Sequence, residues 1–301
     1  MLFKLARVLA CSSALFAQKD LGRVIPEKPT LRVVALGDFG SGNQHQAAVA
    51  HAMAKRNAED RFDLGISLGD NFYRCGIRDT TDYYWKARWE DLYTPLGIPF
   101  YTSLGNHDYA HPQIICPGQT ASPAAEIAYS EHSKSWRMPA RYYTFVAGPV
   151  RFFALDTEGW SGAELEWLKQ ALESTVNEPD VKWRIVYGHH PMYTSGVHLN
   201  ERRIAVLRKE LAPLFQATKV DLYIAGHDHD MEHLRTGGIE YLICGAGGAA
   251  LRAVRHPQSQ SLFHATTFGF LDIAIDQHSL KAEFLDTTLK PLEEPELRMT
   301  K

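Results

Sequence analysis

Seven side chains able to bind a metal ion follow apolar runs that end in glycine. Gly37-Asp38 closes "VVALGD", and Gly69-Asp70 closes "GISLGD" with Tyr73 three residues beyond. Gly105-Asn106-His107-Asp108 closes "YTSLGNHD", Gly188-His189 closes "IVYGH", and Gly226-His227-Asp228-His229 closes "YIAGHDH". The donors are Asp38, Asp70, Tyr73, Asn106, His189, His227 and His229. They are too many for one tetrahedral zinc and suit two cations sharing a carboxylate. Such a pair lowers the pKa of a shared water and steadies the oxygens of an in-line displacement. Each turn alone says little; five of them in order carry the inference.

Positioning these turns requires strands that end together. The runs at 31–36, 63–68, 99–104, 151–156, 183–188, 220–225 and 239–245 read as buried or half-buried strands. Amphipathic stretches at 43–57, 161–175 and 200–218 read as helices between them. Ser161 with Glu164 three residues on predicts a capping box at the second helix. Residues 267–287 read as a hairpin around "DQHS" that closes a sheet edge. Alternating strands and helices give an α/β class, and the crevice beyond the carboxyl ends of such strands is where ligands bind. One domain over 31–288 is expected, followed by a loose acidic tail at 289–301.

Composition narrows the partner. Of 301 residues, 45% are hydrophobic and 22% charged, enough apolar content for a full core, and the net charge of -3 is spread along the chain. Neither a nucleic-acid groove nor a polybasic membrane patch is expected, and the partner is a small molecule. "MLFKLARVLACSSALFA" has the layout of a secretory signal over residues 1–17, with cleavage after Ala14 or Ala17; "VLAC" also allows a lipoprotein-type cut before Cys11. No run is long enough for a membrane span. The cysteines at 11, 75, 116 and 244 form no paired C-x-x-C, which disfavours structural zinc. In an oxidising compartment Cys75 and Cys116 are the candidate pair; unpaired buried thiols are the alternative.

The series GDFG, GDNFY, GNHD, V-x-x-H (Val186 to His189) and GHDH resembles the calcineurin-like metallophosphoesterases, and specifically the purple acid phosphatases of the small tartrate-resistant type. "SKSWRMPARYYTF" and "LEWLKQAL" are also similar to that group, and the resemblance spans about 31–288. It implies a sandwich of two mixed β-sheets flanked by helices. It places Asp38, Tyr73 and His229 on Fe(III), and Asn106, His189 and His227 on a divalent ion (zinc, iron or manganese). Asp70 bridges the two. The V-x-x-H spacing selects His189 over His190, which is left to a supporting place. Asp230 stands where the small phosphatases usually carry asparagine and is expected to be solvated or hydrogen-bonded.

The activity implied is hydrolysis of phosphate monoesters by a metal-bound hydroxide. His107 and His198 would assist the leaving group, and Asp108 would orient His107 by a hydrogen bond. The segment between "FFALDTEGW" and "LEWLKQAL" is shorter than in the mammalian enzymes, so activity without proteolytic trimming is expected. The sequence suggests no basic specificity pocket and names no natural substrate. A phosphodiesterase or nucleotidase with two manganese or zinc ions is the rival enzyme reading, and a non-enzymatic metal-binding protein the rival of another class. The compartment implied is secreted or periplasmic.

Overall fold

Two sheets pack face to face because their strands are apolar on both sides. In the computed structural model, which describes residues 18–109, 121–176 and 178–301, the first sheet has eight strands in the order β1-β6-β7-β8-β9-β11-β10-β12. These are β1 Gln18–Ile25, β6 Tyr142–Ala147, β7 Val150–Ala154, β8 Trp183–Tyr187, β9 Leu222–Ala225, β10 Met231–Thr236, β11 Ile239–Cys244 and β12 Ser261–Ala265. The second has seven, in the order β15-β14-β13-β2-β3-β4-β5. They are β2 Leu31–Leu36, β3 Leu64–Leu68, β4 Phe100–Ser103, β5 Trp136–Arg137, β13 Gly269–Ile275, β14 Ser279–Asp286 and β15 Leu297–Thr300. Both sheets are mixed: β7, β8, β9 and β11 run parallel, as do β2 to β5, while the outer hairpins are antiparallel.

Side chains alternate between two apolar layers, as the strand repeat of two requires. Val33 and Ala35 point into the core between the sheets, with Phe152, Ile185, Ile224 and Leu271. Val34 and Leu36 point outward to helix α1 (Gln44–Glu59) and to an edge-to-face cluster of Trp85, Trp89 and Trp136. On the other outer face, Phe153, Val186 and Tyr223 meet α3 (Gly162–Thr175) and α4 (Arg202–Thr218). A short helix, α2, spans Pro123–Tyr129. Burial on both faces explains why the central strands read as continuous apolar runs rather than alternating ones.

The expected helices and central strands are present, and four details differ. The tail expected to be loose ends in β15, which pairs with β14 and buries Leu297 against the inter-sheet core. The hairpin β13–β14 is therefore internal: β13 pairs with β2, and β15 forms the edge. Ser161 caps α3 by accepting from the Glu164 N–H at 3.3 Å, but the Glu164 carboxylate accepts from the Asp156 N–H at 2.8 Å, so the capping box is only half made. Strands β1, β5, β6, β10 and β12 were not expected as strands; several are short or lie at edges, where alternation is weakest. The expected signal at 1–17, with Cys11, lies outside the described residues. Cys75 is disulfide-bonded, its expected partner Cys116 lies outside the described residues, and Cys244 is free and buried.

Candidate metal centre

The carboxyl ends of β2, β3 and β4 meet those of β8 and β9 where the sheets abut. Turn-to-turn hydrogen bonds fix this junction: Gly37 N–H to Cys244 O (2.8 Å), Asp38 N–H to Gly69 O (3.0 Å) and Gly226 N–H to His189 O (3.0 Å). Three donors stand in left-handed backbone, Asp38 (φ 57), Asp70 (φ 53) and His227 (φ 71). That conformation costs a non-glycine residue about 1–3 kcal/mol and persists where the surroundings enforce it. Glycines make the space. A Cβ on Gly226 would meet Asp38 Oδ2 at 2.4 Å, and one on Gly105 would meet Asp70 Oδ1 at 2.3 Å.

Donor atoms fall into two groups with Asp70 between them. Tyr73 Oη lies 2.9 Å from Asp38 Oδ1 and 3.2 Å from His229 Nε2, which is itself 3.3 Å from Asp38 Oδ1. Across the site, His189 Nε2 lies 2.9 Å from Asn106 Oδ1 and 3.1 Å from His227 Nδ1. Asp70 Oδ1 reaches to 3.5 Å from His189 Nε2, and Asp38, Asp70 and His189 each bring a ligand atom within 4.8 Å of the others. All seven residues expected as ligands are thus brought together, and all but Tyr73 and Asn106 are buried.

The donor set fits cations. Each of the three histidines commits one ring nitrogen to a fixed acceptor: His189 Nδ1 to Leu68 O (2.9 Å), His229 Nδ1 to Ala250 O (2.8 Å) and His227 Nε2 to Glu201 Oε2 (2.9 Å). The committed nitrogen carries the hydrogen, so the other lone pair faces the centre, as metal-binding histidines require. Burial would raise the Asp38 carboxyl, but the His229 hydrogen bond and the charges of His189, His229 and His227 hold it at about 2. It is ionised at any working pH. Burial and the neighbouring Asp38 and Asp70 push the Tyr73 phenol well above its usual value. A highly charged cation among these donors is what would convert it to phenolate.

His107 packs its ring 4.3 Å from that of Tyr73 and sets Nδ1 against Arg74 O at 2.6 Å. Its Nε2 faces Asp70 Oδ2 at 3.8 Å. Asp108 does not orient it. The buried Asp108 carboxylate accepts from the backbone N–H groups of Gly105 (2.8 Å), Asn71 (3.1 Å) and Phe72 (3.1 Å), so it ties the Asn106 turn to the Asp70 turn. Asp230 also departs from expectation. It is wholly buried, neither carboxylate oxygen has a hydrogen-bond partner among the described residues, and burial with the nearby Asp228 and Glu232 pushes it up to about 8. His190 takes the supporting place: its N–H and Nδ1 both meet Thr157 Oγ1, at 2.9 and 3.0 Å, and burial holds it well below its usual pKa.

His198 enters from the loop before α4, its ring 4.0 Å from that of His227. Three residues hold it, of which the sequence singles out only Asp228, and that as a turn residue. Asp228 accepts from the His198 N–H (3.2 Å) and the Thr194 hydroxyl (2.5 Å). Glu201 takes His198 Nδ1 on one oxygen and His227 Nε2 on the other. Glu201 is the N-cap residue of α4, yet makes no capping bond with its side chain. The Arg252 guanidinium contacts His198 Nε2. Glu201 stands three residues after His198 at a helix start, which is the one local signal that could have drawn attention to it.

Comparisons with known proteins give the family. The sequence matches the Calcineurin-like phosphoesterase family over residues 31–231. It is 29% identical to mouse tartrate-resistant acid phosphatase type 5 across 88% of this chain and 89% of that protein. It is 28% identical to purple acid phosphatase 4 of Arabidopsis thaliana across 86% of this chain and 81% of the other. Among solved structures, GAP50, described as the anchor in the inner membrane complex of Plasmodium, superposes with a TM-score of 0.76 at 24% identity, covering 91% of this chain and 89% of its own. The purple acid phosphatase PPD1 of yellow lupin gives 0.70 at 19% identity, covering 91% of this chain and 54% of its own. A shared fold with an anchor protein and with a phosphatase leaves function to the site itself. By the span of its sequence match, the chain belongs to the calcineurin-like phosphoesterase family and is similar along most of its length to the tartrate-resistant and purple acid phosphatases.

Proposed function

We propose that this chain is a phosphatase hydrolysing phosphate monoesters at a dinuclear centre of Fe(III) and a divalent ion, zinc, iron or manganese. Asp38, Tyr73 and His229 would hold the first, Asn106, His189 and His227 the second, and Asp70 both. The observation that carries the reading is the division of six donors into two converging groups of three on either side of the seventh, Asp70. Hard carboxylate and phenolate suit a trivalent ion, while imidazole and amide oxygen suit an exchangeable divalent one. When bound, the two cations supply the activation of water and the neutralisation of the phosphate oxygens.

The remaining residues divide the other tasks. Glu201 keeps the hydrogen of His198 on Nδ1, so Nε2 is the nitrogen that exchanges a proton with the leaving oxygen. His107, with Nδ1 fixed on Arg74 O, presents Nε2 beside Asp70, where it would donate to phosphate in the protonated imidazolium form. Asp108 and the glycine turns keep the ligand loops in register. Steady-state kinetics with phenyl phosphate and with bis-phenyl phosphate test the reading. Preference for the monoester, lost on His198→Asn, supports it; preference for the diester moves the assignment to a phosphodiesterase, and no turnover of either with two metals bound moves it to a binding protein.

Export is part of the same proposal. Among the described residues no helix is long and apolar enough to cross a membrane, and the Cys75 disulfide suits an oxidising compartment. A secreted or periplasmic location is what residues 1–17 would direct.

A further inference from the structure

Beside the catalytic histidine lies a cleft that the metal centre does not use. It opens between the 195–200 loop and the 251–258 loop and holds about 600 Å³, within the ordinary range for small-molecule sites. The first loop carries His198. The second is anchored to the metal centre by the Arg252 N–H, which donates to His229 O at 3.0 Å, and the two are joined by Gln258 N–H to Ser195 Oγ at 2.8 Å. Each wall thus belongs to an element that also positions a site residue.

Its lining has a consistent chemistry. Arg252 and Arg255 bring cationic groups and His256 an imidazole, Val197, Leu199 and Leu251 bring apolar surface, and no lining residue is acidic. Val197 leaves 60% of its surface in solvent, one of the few large apolar side chains to do so. Two carboxylates flank the first loop, and both are occupied: Glu201 by His198 and His227, and Asp228 by the His198 N–H and the Thr194 hydroxyl. Arg252 has only the His198 ring for its guanidinium among the described contacts. The Asp230 carboxyl lies near enough to feel the Arg252 charge but makes no hydrogen bond to it, so an anion of the substrate would be the first direct anionic partner of that guanidinium.

We propose that this cleft is a leaving-group subsite selecting phosphate esters whose leaving group carries a second phosphate, held by Arg252 and Arg255 over the apolar wall. The proposal rests on the phosphatase reading above and names the substrate class of the same site. The reaction is balanced by water alone: one P–O ester bond breaks, water supplies the new oxygen on phosphorus, and the leaving oxygen keeps the bonding electrons and takes a proton. The second phosphate does more than add affinity. By drawing Arg252 off His198 Nε2 into the cleft, it frees that nitrogen for the leaving oxygen, so binding and proton transfer improve together.

The test uses the full-length, metal-loaded protein and the matched pair glucose 6-phosphate and glucose 1,6-bisphosphate. The expected kcat/KM favours the bisphosphate by about tenfold or more, the worth of one charge-assisted hydrogen bond. Arg255→Gln should cut that ratio by about threefold to tenfold, Arg252→Gln by at least as much, and added salt should shrink it in the parent protein. Arg255 is exposed, so folding of that variant is secure and a thermal melt verifies it. Equal kcat/KM for the two substrates, or a preference that survives both variants, overturns the subsite. Failure to release phosphate from either substrate or from phenyl phosphate overturns instead the phosphatase reading on which it rests.

Discussion

Replacing Gly226 by alanine tests how tightly the centre is built. The added Cβ would stand 2.4 Å from Asp38 Oδ2, where Cβ atoms essentially never come closer than 3.0 Å. The carboxylate or the Gly226 turn must therefore move by at least about 0.6 Å, more than the roughly 0.5 Å within which a catalytic constellation has to be held. That oxygen also accepts from the His227 N–H at 2.8 Å, so a ligand of each proposed cation shifts together. A misplacement of about 1 Å costs about 100-fold in rate, so kcat/KM for phenyl phosphate should fall about 10- to 100-fold. Overpacking of this kind costs about 1–3 kcal/mol, which lowers Tm by several degrees without unfolding the protein. Gly162→Ala is the control, since a Cβ there meets nothing within 4 Å and the residue opens helix α3. Rate, metal content and Tm would be measured on both. A Gly226→Ala protein with two metals and a rate within twofold of the parent would refute the claim that this turn sets the Asp38 position.

Three further outcomes follow from particular contacts. Glu201→Gln keeps the shape of the side chain but leaves one acceptor oxygen for two imidazole N–H groups, so divalent-metal affinity in a chelator competition and kcat should each fall about 10- to 100-fold; unchanged values would contradict its bridging role. His233 is buried, which alone would lower its pKa, but hydrogen bonds to Glu240 and Glu293 raise it to about 9. Its folded value exceeds its unfolded one, so its stabilisation is full below about pH 6.5 and lost through pH 9. His233→Gln should therefore lower Tm clearly at pH 6 and hardly at pH 10, and an equal loss at both would be the contrary result. Asp230, raised to about 8 by burial and by its acidic neighbours, takes up a proton on folding, so it costs stability increasingly from pH 4 to pH 8. In metal-free protein Asp230→Asn should raise Tm more at pH 8 than at pH 5; a lower Tm at pH 8 would show an unseen partner for the carboxylate.

What the sequence revealed was what is local along the chain. An apolar strand, a glycine and a donor are contiguous, so all seven candidate ligands could be picked out and are found together. The central strands were legible for the same reason, being buried on both faces. Asp108 was misjudged because the N–H groups of Asn71 and Phe72, which donate to its carboxylate in place of the adjacent His107, lie more than 30 residues away. Arg252 meets His198 across 54 residues, and the cationic cleft exists only once the 195–200 and 251–258 loops face each other, so no basic pocket could be read beforehand. Asp230 in "HDHD" was expected to be solvated or hydrogen-bonded; it is buried because it leads into β10, which lies inside the sheet between β11 and the distant β12. The tail misled because Leu297 and its neighbours form too short a run to signal a strand without β14 beside it.

The central claim is that Tyr73 binds a ferric ion beside a divalent one. A visible absorption spectrum of the aerobically purified protein, with metal analysis of the same sample and of Tyr73→Phe, tests it most directly. The account predicts a broad tyrosinate-to-iron band, one iron and a second metal per chain, and loss of the band in the variant. A colourless protein holding two zinc or two manganese ions, with Tyr73→Phe indistinguishable from it, would contradict the account.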